Sequence, residues 1–207
     1  MLSECNAFIV APARTETSQL ERLAERVGFG DVASSFSPHR FVRTLTFFIL
    51  HYRLSPVAMH RVIDEVRSSE DEETRYAPIM LISDDCPVDR LLGYIHMGFD
   101  DVIALPEKRE ELESRLAGQL HSEQIYFETD DYLGPDRRRM ELPAHRDDRR
   151  TGAAPFARMV VRRDPVNGVS LQRRHTIGQP QRPLPNETTH FMPRQSTPGA
   201  SASRTLN

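Results

Sequence analysis

The chain has 207 residues, 38% of them hydrophobic, with a formal net charge of −3, two cysteines and no tryptophan. Cys5 and Cys86 with no CxxC or HxxxH spacing, and eight histidines standing singly, argue against a disulfide framework, a zinc site or any other resident cofactor. No window approaches the roughly 20 apolar residues of a membrane span, and MLSECNAFIV lacks a basic stretch ahead of an apolar one, so a cytoplasmic location is expected.

The overall charge hides two unlike halves. Residues 1–128 carry 13 basic and 22 acidic side chains, whereas 129–207 carry 14 basic and 8 acidic ones together with 9 of the 15 prolines. Bulky apolar residues are sparse in the second half, which is therefore expected to bury too little surface to offset chain entropy. This divides the chain into a globular domain, 1–122, and an arginine- and proline-rich, mostly disordered tail, 123–207.

Short apolar runs bounded by turn signals predict strands at Ala7–Val10, Val32–Phe36, Leu45–Leu50, Ile79–Ile82 and Val102–Leu105. Leu20, Leu23, Ala24 and Val27 form a helical stripe that ends at Gly28. Only about nine residues separate the second and third strands, fewer than a parallel crossover normally needs, so the second helix is expected to be a single turn or missing. Val57, Met59, Val62, Ile63 and Val66 mark the next helix, followed by the acidic run EDEE, read as solvated. Val88, Leu91, Leu92 and Ile95 mark another helix, and Leu112, Leu116 and Leu120 the last. Strands alternating with helices, with continuous rather than period-two apolar strands, predict a doubly wound α/β fold around a five-stranded parallel sheet.

The order and local motifs over residues 5–122 resemble the receiver domain of two-component response regulators, the CheY-like family. APIMLIS, a helix and then GFDDVIALPE are similar to that family's fourth strand, fourth helix and the opening of its fifth strand. FFILHYRLSP resembles its third strand and exit. The resemblance implies a carboxylate nucleophile closing the third strand, an acidic pair after the first strand to hold Mg²⁺, a lysine before the fifth-strand proline, a hydroxyl closing the fourth strand and a switch aromatic in the fifth. Here His51, the pair Ala11 and Pro12, Leu105, Ser83 and Val102 occupy those positions, and of these only Ser83 retains the family's chemistry. Ser83 also suits helix capping. The Leu105–Pro106 peptide is commonly cis in receivers and is expected to be so here. His51 is read as a neutral, hydrogen-bonded histidine, since neither metal nor lysine would offset charge on a transferred phosphoryl group.

Asp84, Asp85, Asp100 and Asp101 are read as solvated loop acids, with no relocated metal site. The stretch IYFETDDYLGPDRRRMELPAHRDDRR is similar to the YxGPDRRR-type extension of some alphaproteobacterial response regulators. In it Tyr126, Phe127 and Tyr132 would anchor the tail on the domain or on a partner, and Arg137, Arg138 and Arg139 would contact carboxylates or phosphates. PFARMVVRRDPVNGVSL is the one apolar cluster of the tail and is expected to fold on a partner.

The family commonly recognises partners through its fourth helix, fifth strand and fifth helix, which implies a contact face including Arg90, Tyr94, Met97, Val102 and Ala104. These readings point to a non-enzymatic pseudo-receiver binding protein partners in a two-component pathway. Two alternatives stay open: a nucleic-acid-associated regulator using the arginine-rich tail, and a receiver phosphorylated at an unconventional residue.

Overall fold

The computed structural model describes residues 1–35, 45–84, 87–136 and 156–177, with side chains to 172. Its first layer is a parallel sheet in the order β2-β1-β3-β4-β5, built from Asn6–Val10 (β1), Asp31–Ala33 (β2), Thr46–His51 (β3), Ile79–Ser83 (β4) and Asp101–Ala104 (β5). The register is continuous across the middle, with Ile9 opposite Ile49, Leu50 opposite Leu81 and Ile82 opposite Ile103.

Both faces of this sheet are covered, which is why its strands read as unbroken apolar runs. Ile9, Phe47, Ile49, Met80, Ile82 and Ile103 point to one side. There Leu20, Ala24 and Val27 of α1 (Arg14–Val27) and Leu112 and Leu116 of α5 (Arg109–Ala117) cover them. Leu50, Ile79, Leu81 and Val102 point to the other side, under Met59, Ile63 and Val66 of α2 (Pro56–Arg67) and Ile95 of α4 (Val88–Met97). The doubly wound α/β architecture is thus the expected one.

Local signals set the helix ends. Gly28 closes α1 at φ 88°, a left-handed conformation in which a Cβ is strained, and its N–H reaches the Ala24 and Glu25 carbonyls. Ser55 caps α2 by accepting the Ala58 N–H, with Pro56 in the first turn. The acidic run is more than solvated charge: Asp71 caps a short helix, α3 (Glu72–Arg75), and Arg75 pairs with Glu128 at 2.9 Å. Two members of the expected apolar stripes are exposed, Val57 at 79% and Val88 at 67%. Each lies in the first turn of its helix. The linker that was to hold a shortened second helix, 36–44, lies outside the described residues. Among the described residues no helix is long and apolar enough to cross a membrane.

The expectation of a disordered tail is corrected for residues 123–136 and 156–177. Glu123–Thr129 (β6), Tyr132–Pro135 (β7), Phe156–Asp164 (β8) and Gly168–Ile177 (β9) build a second, antiparallel sheet in the order β7-β6-β8-β9. A two-residue turn, Asp130–Asp131, joins β6 to β7. The Asp164 carboxylate accepts from the backbone N–H groups of Val166 and Asn167, closing the turn before β9.

An antiparallel sheet with one solvated face needs only alternate apolar residues, so it survives a composition too polar for a two-sided core. In β8 Ala157, Met159, Val161 and Arg163 are buried at alternate positions, with Val160 buried as well beside the register shift against β9. Tyr126, Met159 and Val161 close a small core against Tyr76, so the cluster expected to await a partner packs on its own α/β layer. Residues 137–155 and 178–207 lie outside the described residues.

Candidate functional site

In open parallel sheets, sites form beyond the carboxyl ends of the strands, where this sheet brings together Val10, His51, Ser83 and Ala104. Ala11 is half-buried and Pro12 exposed, and neither has a side-chain oxygen to offer a hard cation. His51, 7% exposed, closes β3 and stacks on Tyr52 at 4.8 Å. The Arg53 backbone N–H donates to His51 Nδ1 at 3.2 Å, which places the ring proton of the neutral imidazole on Nε2. Burial pushes the His51 pKa below its usual value, with Arg53 acting in the same direction against Glu16 and Asp84. In this tautomer the one nitrogen lone pair is already engaged.

Around His51 the described charges are paired or solvated. Glu16, in the first turn of α1, binds Arg53 at 3.1 Å, and Asp84 is exposed with Ser83 Oγ 3.5 Å from it. Ser83 is buried and its carbonyl accepts the Leu105 N–H. Leu105 packs on the α1–α5 side of the sheet, and the Leu105–Pro106 peptide is cis. Among the described residues no group of three or more His, Cys, Asp or Glu side chains is arranged to hold a metal ion.

Among the described residues of the expected contact face, Val102 alone is buried. Val102 is 2% exposed in the core beneath α2 and α4 and has no surface to offer a partner. Met97 and Tyr94 are half-buried against that same core, Tyr94 edge-on to Phe99 at 6.3 Å. Arg90 is exposed and Ala104 half-buried. Tyr132 donates its hydroxyl to the Pro135 carbonyl at 2.8 Å and lies over Gly98, anchoring the β6–β7 hairpin on the α/β layer. Arg137, Arg138, Arg139, Asp85 and Cys86 lie outside the described residues.

A second constellation, at the opposite, amino edge of the sheet, was not anticipated. Asp100, read from sequence as a solvated loop acid, is 2% exposed. Its Oδ2 accepts from Arg67 Nη2 and the Ile79 N–H, both at 2.8 Å, and its Oδ1 accepts from Arg163 Nη2 at 2.8 Å and from the Tyr126 hydroxyl. Both guanidinium carbons lie near the Tyr126 ring, 5.3 and 5.5 Å from its centroid. Burial alone would raise the Asp100 pKa, but Arg163 and Arg67 outweigh it and hold the carboxyl at about 2. Burial raises the Tyr126 pKa, so the phenol stays protonated and donates. Asp101, the neighbouring acid, is half-buried and pairs with Arg115 at 2.7 Å.

Arg67, Tyr76, Gln119 and Arg163 carried no functional reading from sequence. A signal existed for two of them. Arg67 continues the four-residue spacing of Met59 and Ile63, and Arg163 continues the period-two set of β8.

The sheet order and flanking helices define a doubly wound α/β protein compatible with the flavodoxin-like or receiver architecture, whose strand order is 2-1-3-4-5. No protein-family model matches the sequence, and no curated protein matches it either.

Proposed function

We propose that this protein is a receiver-like adaptor of two-component signalling that performs no chemistry and acts by binding protein partners. The observation that carries this reading is the carboxyl edge itself. A receiver-type strand order ends in Ala11, Pro12, His51 and Leu105 where phosphoryl chemistry needs carboxylates and a lysine. Binding would then be constitutive or governed by abundance, since none of the described residues at this edge supplies the carboxylates and lysine that phosphoryl chemistry needs.

Backbone amide shifts of the full chain, titrated with Mg²⁺ and beryllofluoride, test the loss of the switch. No saturable shifts are expected at His51, Ser83 or Leu105, in the natural chain or in His51→Asp, because restoring one carboxylate leaves Ala11 and Pro12 unable to complete a metal site. Saturable shifts in the natural chain would restore the reading as a phosphorylatable regulator. Titration against purified histidine-kinase and receiver domains tests the adaptor role, with binding expected at equal affinity with and without acetyl phosphate.

Nucleic-acid binding through the second sheet has weaker support. The shallow hollow of about 300 Å³ on the β8–β9 hairpin sets Arg162 beside the Asp164 carboxylate, which opposes a phosphate there.

A further inference from the structure

We propose that the amino edge of the α/β layer is a guanidinium-specific socket whose ligand is Arg163 of the second sheet. The proposal does not depend on the signalling reading. Arg163 is wholly buried, and four acceptors converge on it from separate parts of the chain. Nε donates to the Tyr76 carbonyl at 2.8 Å, Nη1 to Gln119 Oε1 at 3.0 Å, and Nη2 to Asp100 Oδ1 at 2.8 Å and to the Tyr126 hydroxyl oxygen. Four of the five hydrogens of a guanidinium are used in this way.

The acceptors surround a planar fork and not a point charge. A single carboxylate supplies the charge compensation, while a backbone carbonyl, an amide oxygen and a phenol fix the plane. A lysine ammonium concentrates its three donors on one atom and cannot span this set. Arg67 completes the walls. It donates to the Arg75 and Ala77 carbonyls at 2.9 and 2.8 Å and also to Asp100 and the Tyr126 hydroxyl oxygen. The backbone on either side of the seat is fixed as well, since the Arg163 carbonyl accepts the His121 N–H at 2.8 Å. Arg163 therefore ties β8 to the turn before β4, to the residue before β5 and to the segment after α5, so the two sheets form one cooperative unit.

The test is thermal unfolding of the full chain. Arg163→Ala removes an ethylguanidinium-sized piece and is expected to lower the melting temperature by on the order of 10 °C. Millimolar ethylguanidinium should restore part of that loss, while ethylammonium restores none and neither affects the natural chain. Arg163→Lys is expected to fall as far as Arg163→Met. If Arg163→Lys melts with the natural protein, or ethylammonium rescues as well as ethylguanidinium, the site reads charge alone and the proposal fails. Should Arg163→Ala not fold, hydrogen exchange of the natural chain decides. Amides of β8 are expected to open together with those of β4, and their opening at much lower free energy would overturn the cooperative unit.

Discussion

Replacing Asp100 with alanine is expected to destabilise the protein by about 3–5 kcal/mol, the range for removing one partner of a buried ion pair. All four lone-pair positions of this carboxylate are used, by two guanidiniums, one backbone N–H and one phenol. Its loss leaves Arg67 and Arg163 buried together without the counter-charge of that carboxylate, and leaves the Ile79 N–H without its partner. Asp100→Asn keeps the shape but presents an amide NH₂ where only acceptors serve, so it is expected to cost somewhat less, about 2–3 kcal/mol. Urea unfolding of the full chain followed by far-ultraviolet circular dichroism measures both. A loss below 1 kcal/mol for Asp100→Ala would mean the guanidiniums reach water or other acceptors when the carboxylate is gone.

The cost of breaking this network is distinct from its net worth. Burying two arginines and an aspartate carries a desolvation penalty that hydrophobic residues of similar volume avoid. What the network supplies is selectivity of docking. The apolar contact between Tyr76, Tyr126, Met159 and Val161 has little direction, whereas the Tyr76, Gln119 and Asp100 acceptors of Arg163 are met by one register of β8 against the α/β layer.

The α/β layer was legible because each strand carries residues for both faces in one short run and two of the helices, α1 and α4, end on a clear stop, Gly28 and Gly98. Val57 and Val88 were misassigned because a first-turn residue continues the apolar spacing while projecting beyond the packed part of its helix. The second sheet was hidden by averaging. Its two hairpins sit in a stretch rich in proline and arginine, and a one-sided strand contributes apolar residues only at alternate positions. With that sheet unseen, Asp100 had nothing above it and read as solvated. Arg162 and Arg163 are the same residue type side by side, yet neighbours on a strand face opposite ways and only Arg162 is exposed. At the carboxyl edge, residue types alone were informative, because the chemistry at issue depends on carboxylates that the positions of Ala11, Pro12 and His51 do not hold.

Acid is expected to loosen the protein through this same carboxylate. The folded Asp100 pKa of about 2 lies below the ordinary 3.8, so its contribution is complete above pH 4 or so, declines as the unfolded chain takes up the proton first, and is gone below about pH 2. A difference of this size corresponds to roughly 2 kcal/mol of stability lost across that window. Glu16 and Asp164 are shifted in the same direction, chiefly by backbone N–H groups, but both are only half-buried and so are better screened by solvent and salt than Asp100. The measurement is unfolding free energy against pH for the natural chain and Asp100→Asn at two ionic strengths. The gap between the two curves should narrow from pH 4 to pH 2 by an amount that salt barely changes, because the titrating group is sealed between Arg67, Arg163 and Tyr126. Curves that stay parallel through that range would show that protonating Asp100 leaves the network intact, and would place the acid sensitivity of the fold in its surface carboxylates instead.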